Sequence, residues 1–368
     1  MGTKQNEKGV KACFACTTPY QLMGAISIAQ SKDIKGDLYV FGMFSGYDEI
    51  AERIKDYNIF REVIPVDCSR FRSLPTSRYL FHMFNYHREV LYFLPSHISY
   101  DIMYISSRAH VKLLMRHELE HRNPKMRYVM FEDGLGTYSA DSHVLNSSKL
   151  RRIIEKILGW DTFKPGLTVM MATHPELVTL SKKMSGISIE KMPSFRWSSE
   201  NRKMLLDIFS VNNMNFINER VILFDVTRGT YKEDLGVNVG LLDKCYQLMS
   251  NNFGYDSVVC KPHPRSKTKT EASVKEYQQK GVPIEILYAS MDDLDSRILV
   301  GTFSTALFTP KMMFDKEPIV ICLYKMVWPG NHELPPLYEK LCNMYQHRER
   351  IIAPKNIEEL KVFLARTR

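Results

Sequence analysis

Residues 256–265, Asp-Ser-Val-Val-Cys-Lys-Pro-His-Pro-Arg, change within a few positions from an apolar run to a basic loop stiffened by two prolines. A short apolar run bounded in this way predicts a buried strand that ends where the polar residues begin. The same pattern recurs along the chain between helical segments, and its apolar residues are nearly continuous rather than alternating. Such runs are typical of parallel sheets that helices cover on both faces. The sequence therefore predicts an α/β protein.

The predicted elements fall into two groups. Strands are expected at residues 11–17, 37–42, 101–105, 127–131 and 167–172, and again at 220–225, 256–261, 283–287, 297–303 and 318–323. Helices are expected at, among others, 21–31, 240–251, 270–280 and 357–366. Because the stretch from about 194 to 218 is polar and less patterned, we expect a Rossmann-like domain at 1–195, a linker at 196–218 and a second Rossmann-like domain at 219–368. A ligand cleft is then expected between the carboxyl ends of the two sets of strands.

Composition narrows the possible classes of protein. The chain has 368 residues, 44% of them hydrophobic and 25% charged, which is close to the globular average and argues against disordered and fibrous classes. Fifty Lys and Arg against 41 Asp and Glu give a net charge of +9, which favours anionic ligands or surfaces. The basic residues are scattered, so we expect no nucleic-acid partner.

Cysteine usage and hydropathy indicate the compartment. Most of the seven cysteines lie in apolar segments, including the Cys13-x-x-Cys16 pair, so we expect buried thiols in a reducing compartment rather than a metal or redox site. No run approaches the ~20 apolar residues of a membrane span, and residues 1–11 are polar. We therefore expect a cytoplasmic protein, with peripheral contact to the inner membrane left open.

The first candidate for chemistry is the acidic loop Glu132-Asp133-Gly134, which ends an apolar strand. A carboxylate at a strand end beside a cleft can act as a general base. The alternative is an ordinary turn, because Asp-Gly is a common turn pair.

The second candidate is the basic loop quoted above, which gathers Lys261, His263 and Arg265 around Pro262 and Pro264. Three potential cations on a stiff loop suit a phosphate, and a histidine can donate a proton to a departing phosphate oxygen. The alternative is a proline-stiffened surface loop without function.

The third candidate lies where a later strand ends at Gly301 and a helix is expected to begin near Ser304 and Thr305. Free backbone amides at a helix start, with hydroxyls beside them, can bind an anion without a metal, although many such residues only cap the helix. Asp225 ends the first strand of the second domain and is a reserve candidate for the base.

Four short motifs, taken in order, resemble those of bacterial sialyltransferases. They are Thr17-Thr18-Pro19-Tyr20-Gln21, Glu132-Asp133-Gly134, Lys261-Pro262-His263-Pro264 and Ser304-Thr305. The nearest resemblance is to glycosyltransferase family 52, the lipooligosaccharide and capsule enzymes. It implies a GT-B architecture, a CMP-sialic acid donor held mainly by the second domain, a sugar hydroxyl of a surface glycan as acceptor, and inverting transfer without metal or cofactor. It also allows a homodimer.

The resemblance further implies roles for individual residues. His263 would contact or protonate the CMP phosphate, and Ser304 and Thr305 would bind it. The loop and strand-end patterns themselves add Lys261, Pro264, Arg265 and Gly301 to the expected donor site. One acid of Glu132-Asp133 would deprotonate the acceptor hydroxyl, whereas family 52 itself points to Asp225.

Two other interpretations remain. The first is a different cytidine-nucleotide-dependent transferase, because Lys-Pro-His-Pro followed by a Ser/Thr pair also occurs in capsule Kdo transferases and in CDP-glycerol-type polymerases, which likewise release a cytidine nucleotide. The second is a catalytically silent nucleotide-sugar-binding scaffold.

Overall fold

A computed structural model describes residues 10–71, 76–106, 109–138, 167–180, 186–195, 197–212, 216–228, 236–263, 266–279, 281–328 and 334–367. The chain folds into two compact units, Met1–Arg196 and Trp197–Arg368. Each unit is built around one parallel sheet.

The first unit has a seven-stranded sheet in the order β3-β2-β1-β4-β5-β6-β7, and every pairing is parallel. Its strands are β1 Ala12–Cys16, β2 Asp37–Phe41, β3 Glu62–Val66, β4 Ile102–Ile105, β5 Arg127–Phe131, β6 Leu167–Ala172 and β7 Ser188–Lys191. Its helices are α1 Pro19–Lys32, α2 Tyr47–Lys55, α3 Thr76–Phe84, α4 Tyr86–Val90 and α5 His110–Arg122.

The first strand and helix show why these residues form this unit. All five residues of β1 are buried, as expected for a central strand that is covered on both faces. Thr18 caps α1 by accepting a hydrogen bond from the Gln21 amide, and Pro19 occupies the first helical position, where its missing N–H costs nothing. The predicted cysteine environment is confirmed, since all seven cysteines are buried thiols.

The second unit has a six-stranded parallel sheet in the order β10-β9-β8-β11-β12-β13. Its strands are β8 Val221–Phe224, β9 Val258–Lys261, β10 Lys275–Glu276, β11 Ile298–Gly301, β12 Ile319–Cys322 and β13 Ile351–Ile352. Its helices are α6 Ser199–Ile208, α7 Val239–Phe253, α8 Ile284–Tyr288, α9 Thr305–Phe314, α10 Tyr324–Val327, α11 Leu334–Cys342 and α12 Ile357–Arg366.

Several sequence predictions need correction. Residues 283–287 were expected as a strand but lie in α8, because a short apolar run does not by itself distinguish a strand from a buried helical turn. The helix expected at 270–280 is wrong over 270–279, where Lys275 and Glu276 instead pair with β9 at the edge of the sheet. The stretch 196–218, expected as a linker, contains α6, which Ser198 caps.

The four edge strands were not predicted. Two of them, β10 and β13, have only two residues each, and β7 is short and largely exposed. The fourth, β3, contains Pro65, a residue that argues against a central strand but is tolerated at an edge.

The strand orders place one reversal in each sheet. In the first unit the chain builds β1, β2 and β3 to one side and then returns to place β4 against the other side of β1. In the second unit β11 returns in the same way to the free side of β8. In open parallel sheets, ligands bind outside the carboxyl ends of the strands at such a reversal. Ligand-binding residues are therefore expected at the carboxyl ends of β1 and β4 and of β8 and β11.

Candidate functional site

In the first unit, Glu132 follows β5 and is buried, with both carboxylate oxygens engaged. Oε1 accepts a hydrogen bond from the Tyr20 hydroxyl at 2.6 Å. Oε2 accepts one from the Tyr138 hydroxyl at 2.6 Å and one from the Thr173 backbone amide at 2.7 Å. Burial, with the charge of Glu132, raises the pKa of Tyr138 well above its usual value, so this hydroxyl stays a donor. Glu132 thus joins α1 to the loops after β5 and β6.

Asp133 has a different environment, half-buried at the start of the turn. Its Oδ1 accepts a hydrogen bond from Gln21 Nε2 at 2.6 Å, and its backbone amide donates to Thr137 Oγ1 at 2.8 Å. Gly134 follows with φ of 87°, a left-handed conformation that glycine adopts without strain. Among the described residues, Oδ2 of Asp133 accepts no hydrogen bond, so this oxygen can receive a proton from a substrate hydroxyl.

A buried cation lies behind Asp133. Gln21 Oε1 accepts hydrogen bonds from the Thr17 amide at 2.7 Å and from Lys112 Nζ at 3.3 Å, which turns the amide NH₂ of Gln21 toward Asp133. Lys112 Nζ also donates to Ser106 Oγ at 3.4 Å. Burial lowers the pKa of Lys112 to about 8, and the charge of Asp133 acts in the opposite direction. Gln21 and Lys112 therefore fix the orientation of Asp133.

In the second unit, Asp225 follows β8 and is engaged in a buried ion pair. Its Oδ2 accepts from Arg228 Nε at 2.6 Å and its Oδ1 from the Val226 amide at 2.9 Å. Arg228 also donates to both oxygens of Asp243, at 2.8 and 3.1 Å. Burial raises the pKa of Asp225, although Arg228 opposes that shift. With both oxygens occupied, Asp225 is better placed to hold the loop after β8 than to accept a proton.

Lys261, the last residue of β9, carries a buried ammonium. Its Nζ lies 4.9 Å from the centre of the Tyr277 ring and has no hydrogen-bond partner among the described residues. Burial lowers the pKa of Lys261 to about 8, and the charge of Glu285 opposes this shift. Burial likewise raises the pKa of Glu285 to about 6. A buried polar group without a partner is rare, so Lys261 Nζ marks a place where an anion would be stabilised.

The start of α9 lies at the same edge of the sheet. The helix begins where the sequence predicted, and Ser304 caps it by accepting a hydrogen bond from the Ala306 amide at 3.3 Å. The hydroxyl of Tyr288, in the same helix as Glu285, donates to the Ala306 carbonyl at 2.9 Å. This hydrogen bond connects α8 to the first turn of α9. Glu285, also in α8, interacts electrostatically with Lys261.

The remaining predicted residues of the second unit lie at or near this edge. His263, half-buried, has Nδ1 at 3.1 Å from Thr227 Oγ1 in the loop after β8. Gly301 ends β11, and a Cβ there would lie 3.2 Å from the Phe224 carbonyl oxygen, so glycine permits the close approach of β11 and β8. Thr305 is the first residue of α9. Pro264 and Arg265 lie outside the described residues.

The structure therefore groups the candidates in two sets, one in each unit. Glu132 and Asp133 stand together after β5, while the other described candidates follow β8, β9 and β11, which are adjacent with β8 in the centre. Sequence reasoning missed Lys112 and Glu285. Gln21 was part of a quoted motif but had no assigned role.

Among the described residues, no group of three or more His, Cys, Asp or Glu side chains is placed to hold a metal ion. No helix in that part of the chain has the length and apolar character needed to cross a membrane.

No protein-family model and no curated protein matches the sequence. Solved structures do match it. UDP-N-acetylglucosamine 2-epimerase from Rickettsia bellii has 10% sequence identity and a TM-score of 0.54, over 97% of this chain and 87% of that chain. An alpha,alpha-trehalose-phosphate synthase (UDP-forming) from Burkholderia vietnamiensis has 10% identity over 97% of this chain and 98% of that chain, with a TM-score of only 0.40. At such identity the first likeness bears on the fold alone, and the fold is that of GT-B enzymes, two Rossmann-like α/β units.

Proposed function

We propose that this chain is an inverting, metal-independent sialyltransferase. It would move sialic acid from CMP-sialic acid to a sugar hydroxyl, a terminal galactose or sialic acid, of a bacterial surface glycan. The order of the four motifs and the GT-B fold support this proposal. The observation that carries it is Lys261 Nζ, a buried ammonium without a described hydrogen-bond partner at the edge where α9 begins.

The donor half of the proposal follows from electrostatics. A buried ammonium with no hydrogen-bond partner is costly, and a phosphate oxygen would satisfy it with a charge-assisted bond. The first amides of α9, with the hydroxyls of Ser304 and Thr305, offer further donors to the same phosphate. His263 can donate a proton to it as it departs. Protein cations and amides would thus neutralise the charge that develops on the leaving CMP.

The acceptor half assigns the base to Asp133. In the reaction, the acceptor hydroxyl oxygen forms a bond to the anomeric carbon while the bond from that carbon to the CMP phosphate breaks. Asp133 Oδ2 takes the hydroxyl proton, and the phosphate keeps the electron pair. Attack from the face opposite the leaving group inverts the anomeric configuration. Glu132 would then be a structural acid, because both of its oxygens are engaged.

A second candidate is a transferase for another cytidine-linked donor. The Lys-Pro-His-Pro and Ser/Thr motifs are shared with capsule Kdo transferases and CDP-glycerol-type polymerases, and a buried ammonium would serve any of these donors. The anion site and the base would keep their places. With CMP-Kdo only the transferred sugar would differ, whereas with CDP-glycerol the acceptor hydroxyl would attack phosphorus, glycerol phosphate would be transferred and CMP would leave.

The test begins with a thermal-shift titration against CMP, CDP, UMP and UDP in EDTA, because a ligand that binds only the native state raises apparent stability. We expect stabilisation by CMP. Donor screening with CMP-sialic acid, CMP-Kdo and CDP-glycerol then distinguishes the two candidates by which donor is consumed, because each of the three releases CMP. A preference for UDP would contradict both. Nucleotide binding without turnover of any donor would favour the silent scaffold.

A further inference from the structure

An unusual concentration of exposed apolar side chains lies on α3 and on the turn after α4. Phe81 is 59% exposed, Phe84 66%, Leu91 39% and Tyr92 62%. These four side chains, called the aromatic patch below, are four of the six large hydrophobic residues that are exposed in the described part of the chain. Single exposed apolar residues are ordinary, but a cluster of them marks an interaction surface.

Contacts beneath the surface join the two ends of the aromatic patch. The Arg70 guanidinium lies 5.6 Å from the centre of the Tyr92 ring and forms an ion pair with Glu89. Glu89 lies 3.3 Å from His82 Nδ1, and the His82 ring is 6.0 Å from the Phe81 ring. Phe81 and Tyr92 are therefore linked through one polar centre, in which Glu89 and His82 are buried and Arg70 is exposed.

The same helices are firmly anchored on their inner side. Met83, Val90, Phe93 and Leu94 are buried in the core of the first unit, together with strand residues of β1 and β4. The aromatic patch is therefore the outer face of a packed helical element, and its exposure does not come from a frayed segment.

The exposed charged side chains in the segment that carries the aromatic patch are basic. Arg78 and Arg88 are exposed on α3 and α4. The only carboxylate between residues 76 and 98 is Glu89, which is buried and paired with Arg70. This segment therefore offers solvent aromatic rings flanked by guanidinium groups, with no exposed acid among its own residues.

We propose that the aromatic patch docks the protein on an anionic phospholipid surface. Aromatic and aliphatic side chains favour the boundary between headgroups and acyl chains, and arginines beside them are attracted to lipid phosphates. A second copy of this chain is a poorer partner, because a symmetric contact would bring Arg78 and Arg88 of both copies together. The inference does not depend on the proposed reaction.

The test is co-sedimentation of the full chain with phosphatidylcholine vesicles that contain or lack phosphatidylglycerol. We expect binding that requires phosphatidylglycerol and weakens at high salt. The double variants Phe81→Ser/Phe84→Ser and Arg78→Glu/Arg88→Glu should each lower the partition coefficient by about tenfold or more. The matched control is Tyr255→Ser/Val362→Ser, which removes the other two exposed hydrophobic side chains, both in the second unit, and should bind as the parent does.

Other outcomes would overturn the proposal. Vesicle binding that survives both double variants would place the membrane contact elsewhere. Absence of vesicle binding, with a patch-dependent change in oligomeric mass, would assign this surface to a second copy of the chain. Absence of vesicle binding, with a patch-dependent change in acceptor KM, would assign it to the glycan. Circular dichroism of each variant confirms that it is folded.

Discussion

The two units each bury a lysine near the carboxyl edge of their central strands, but the two ammonium groups differ in what they contact. Burial lowers the pKa of both Lys112 and Lys261 to about 8. Lys112 Nζ donates to Gln21 and Ser106, and through Gln21 it supports Asp133. Lys261 Nζ, in contrast, has no hydrogen-bond partner among the described residues. A cation that is already hydrogen-bonded orients a protein group, whereas one without a partner is suited to a ligand.

The largest expected effect separates the two acids of the first unit. Asp133→Asn keeps an oxygen for the Gln21 hydrogen bond but removes the carboxylate that we propose as the base, so we expect kcat to fall by about 10²–10⁴-fold with little change in Tm. Glu132→Gln places an amide NH₂ against groups that donate to both oxygens and should lower the free energy of unfolding by about 1–3 kcal/mol. Steady-state kinetics and calorimetry check both expectations. Normal turnover in Asp133→Asn, together with lost turnover in a stable Glu132→Gln, would make Glu132 the base.

The next largest effect is expected on CMP binding when each of the two buried lysines is substituted. Lys261→Met should weaken CMP binding by about tenfold or more, because it removes a charge-assisted bond of about 1.5–3 kcal/mol. Lys112→Met should leave CMP binding unchanged, because Lys112 Nζ donates to Gln21 and Ser106 of the first unit. Isothermal titration of CMP into each variant gives the readout. Equal CMP affinity in the parent and in Lys261→Met would remove Lys261 from the donor site.

The pH dependence of stability sharpens the same comparison. The pKa of Lys261 is about 8 in the native state against 10.5 in the unfolded chain. Below pH 8 both states hold the proton, and the buried charge destabilises the native state in full. Between pH 8 and 10.5 the unfolded chain binds more protons, so the free energy of unfolding rises with pH. Lys261→Met lacks this rise.

We therefore expect the free energy of unfolding of the parent, relative to that of Lys261→Met, to increase by about 1–2 kcal/mol between about pH 7 and 9.5. Loss of Lys261 also raises the pKa of the neighbouring Glu285 further, which costs the variant stability as pH rises and acts in the same direction. Tyr277, whose burial raises its pKa to about 12, stays neutral throughout. Urea unfolding across this range measures the difference, and a difference that does not change with pH would show that the Lys261 ammonium is solvated.

The smallest effect distinguishes a helix cap from a ligand site. Ser304 and Ser198 both cap helices of the second unit, accepting from the Ala306 and Asn201 amides. Each Ser→Ala change should cost about 1 kcal/mol of stability. Only Ser304→Ala should also weaken CMP binding, by a few fold. If the two variants bind CMP alike, the hydroxyl of Ser304 is only a cap.

Much of the fold could be predicted because central strands here are buried on both faces. Their apolar runs are continuous, as in β1, and polar residues begin where the strands end. The edge strands could not be predicted, because an edge tolerates Pro65 in β3 and exposed residues in β7. The short apolar run of α8 is equally compatible with a strand and with a buried helix, so the local pattern does not decide between them. Tertiary packing decides, and here it favours the helix.

The candidate site was predicted only in part, for a related reason. Asp133 and Ser304 follow strand ends, so their location could be read locally. Lys112 lies in a helix rich in charged residues, where a lysine normally faces solvent, and only the folded sheet shows that it is buried. The surroundings of the buried Lys261 ammonium include Tyr277 and Glu285, which lie well downstream in the chain and could not be assigned to it from local pattern.

The most direct measurement of the central claim is CMP release from CMP-sialic acid, in EDTA, with a galactoside acceptor and mass detection of the product. The proposal predicts CMP and sialylated galactoside in equal amounts, with both lost in Asp133→Asn and both reduced in Lys261→Met. No CMP release with any sugar acceptor, from a folded protein that is stabilised by UDP and not by CMP, would contradict it.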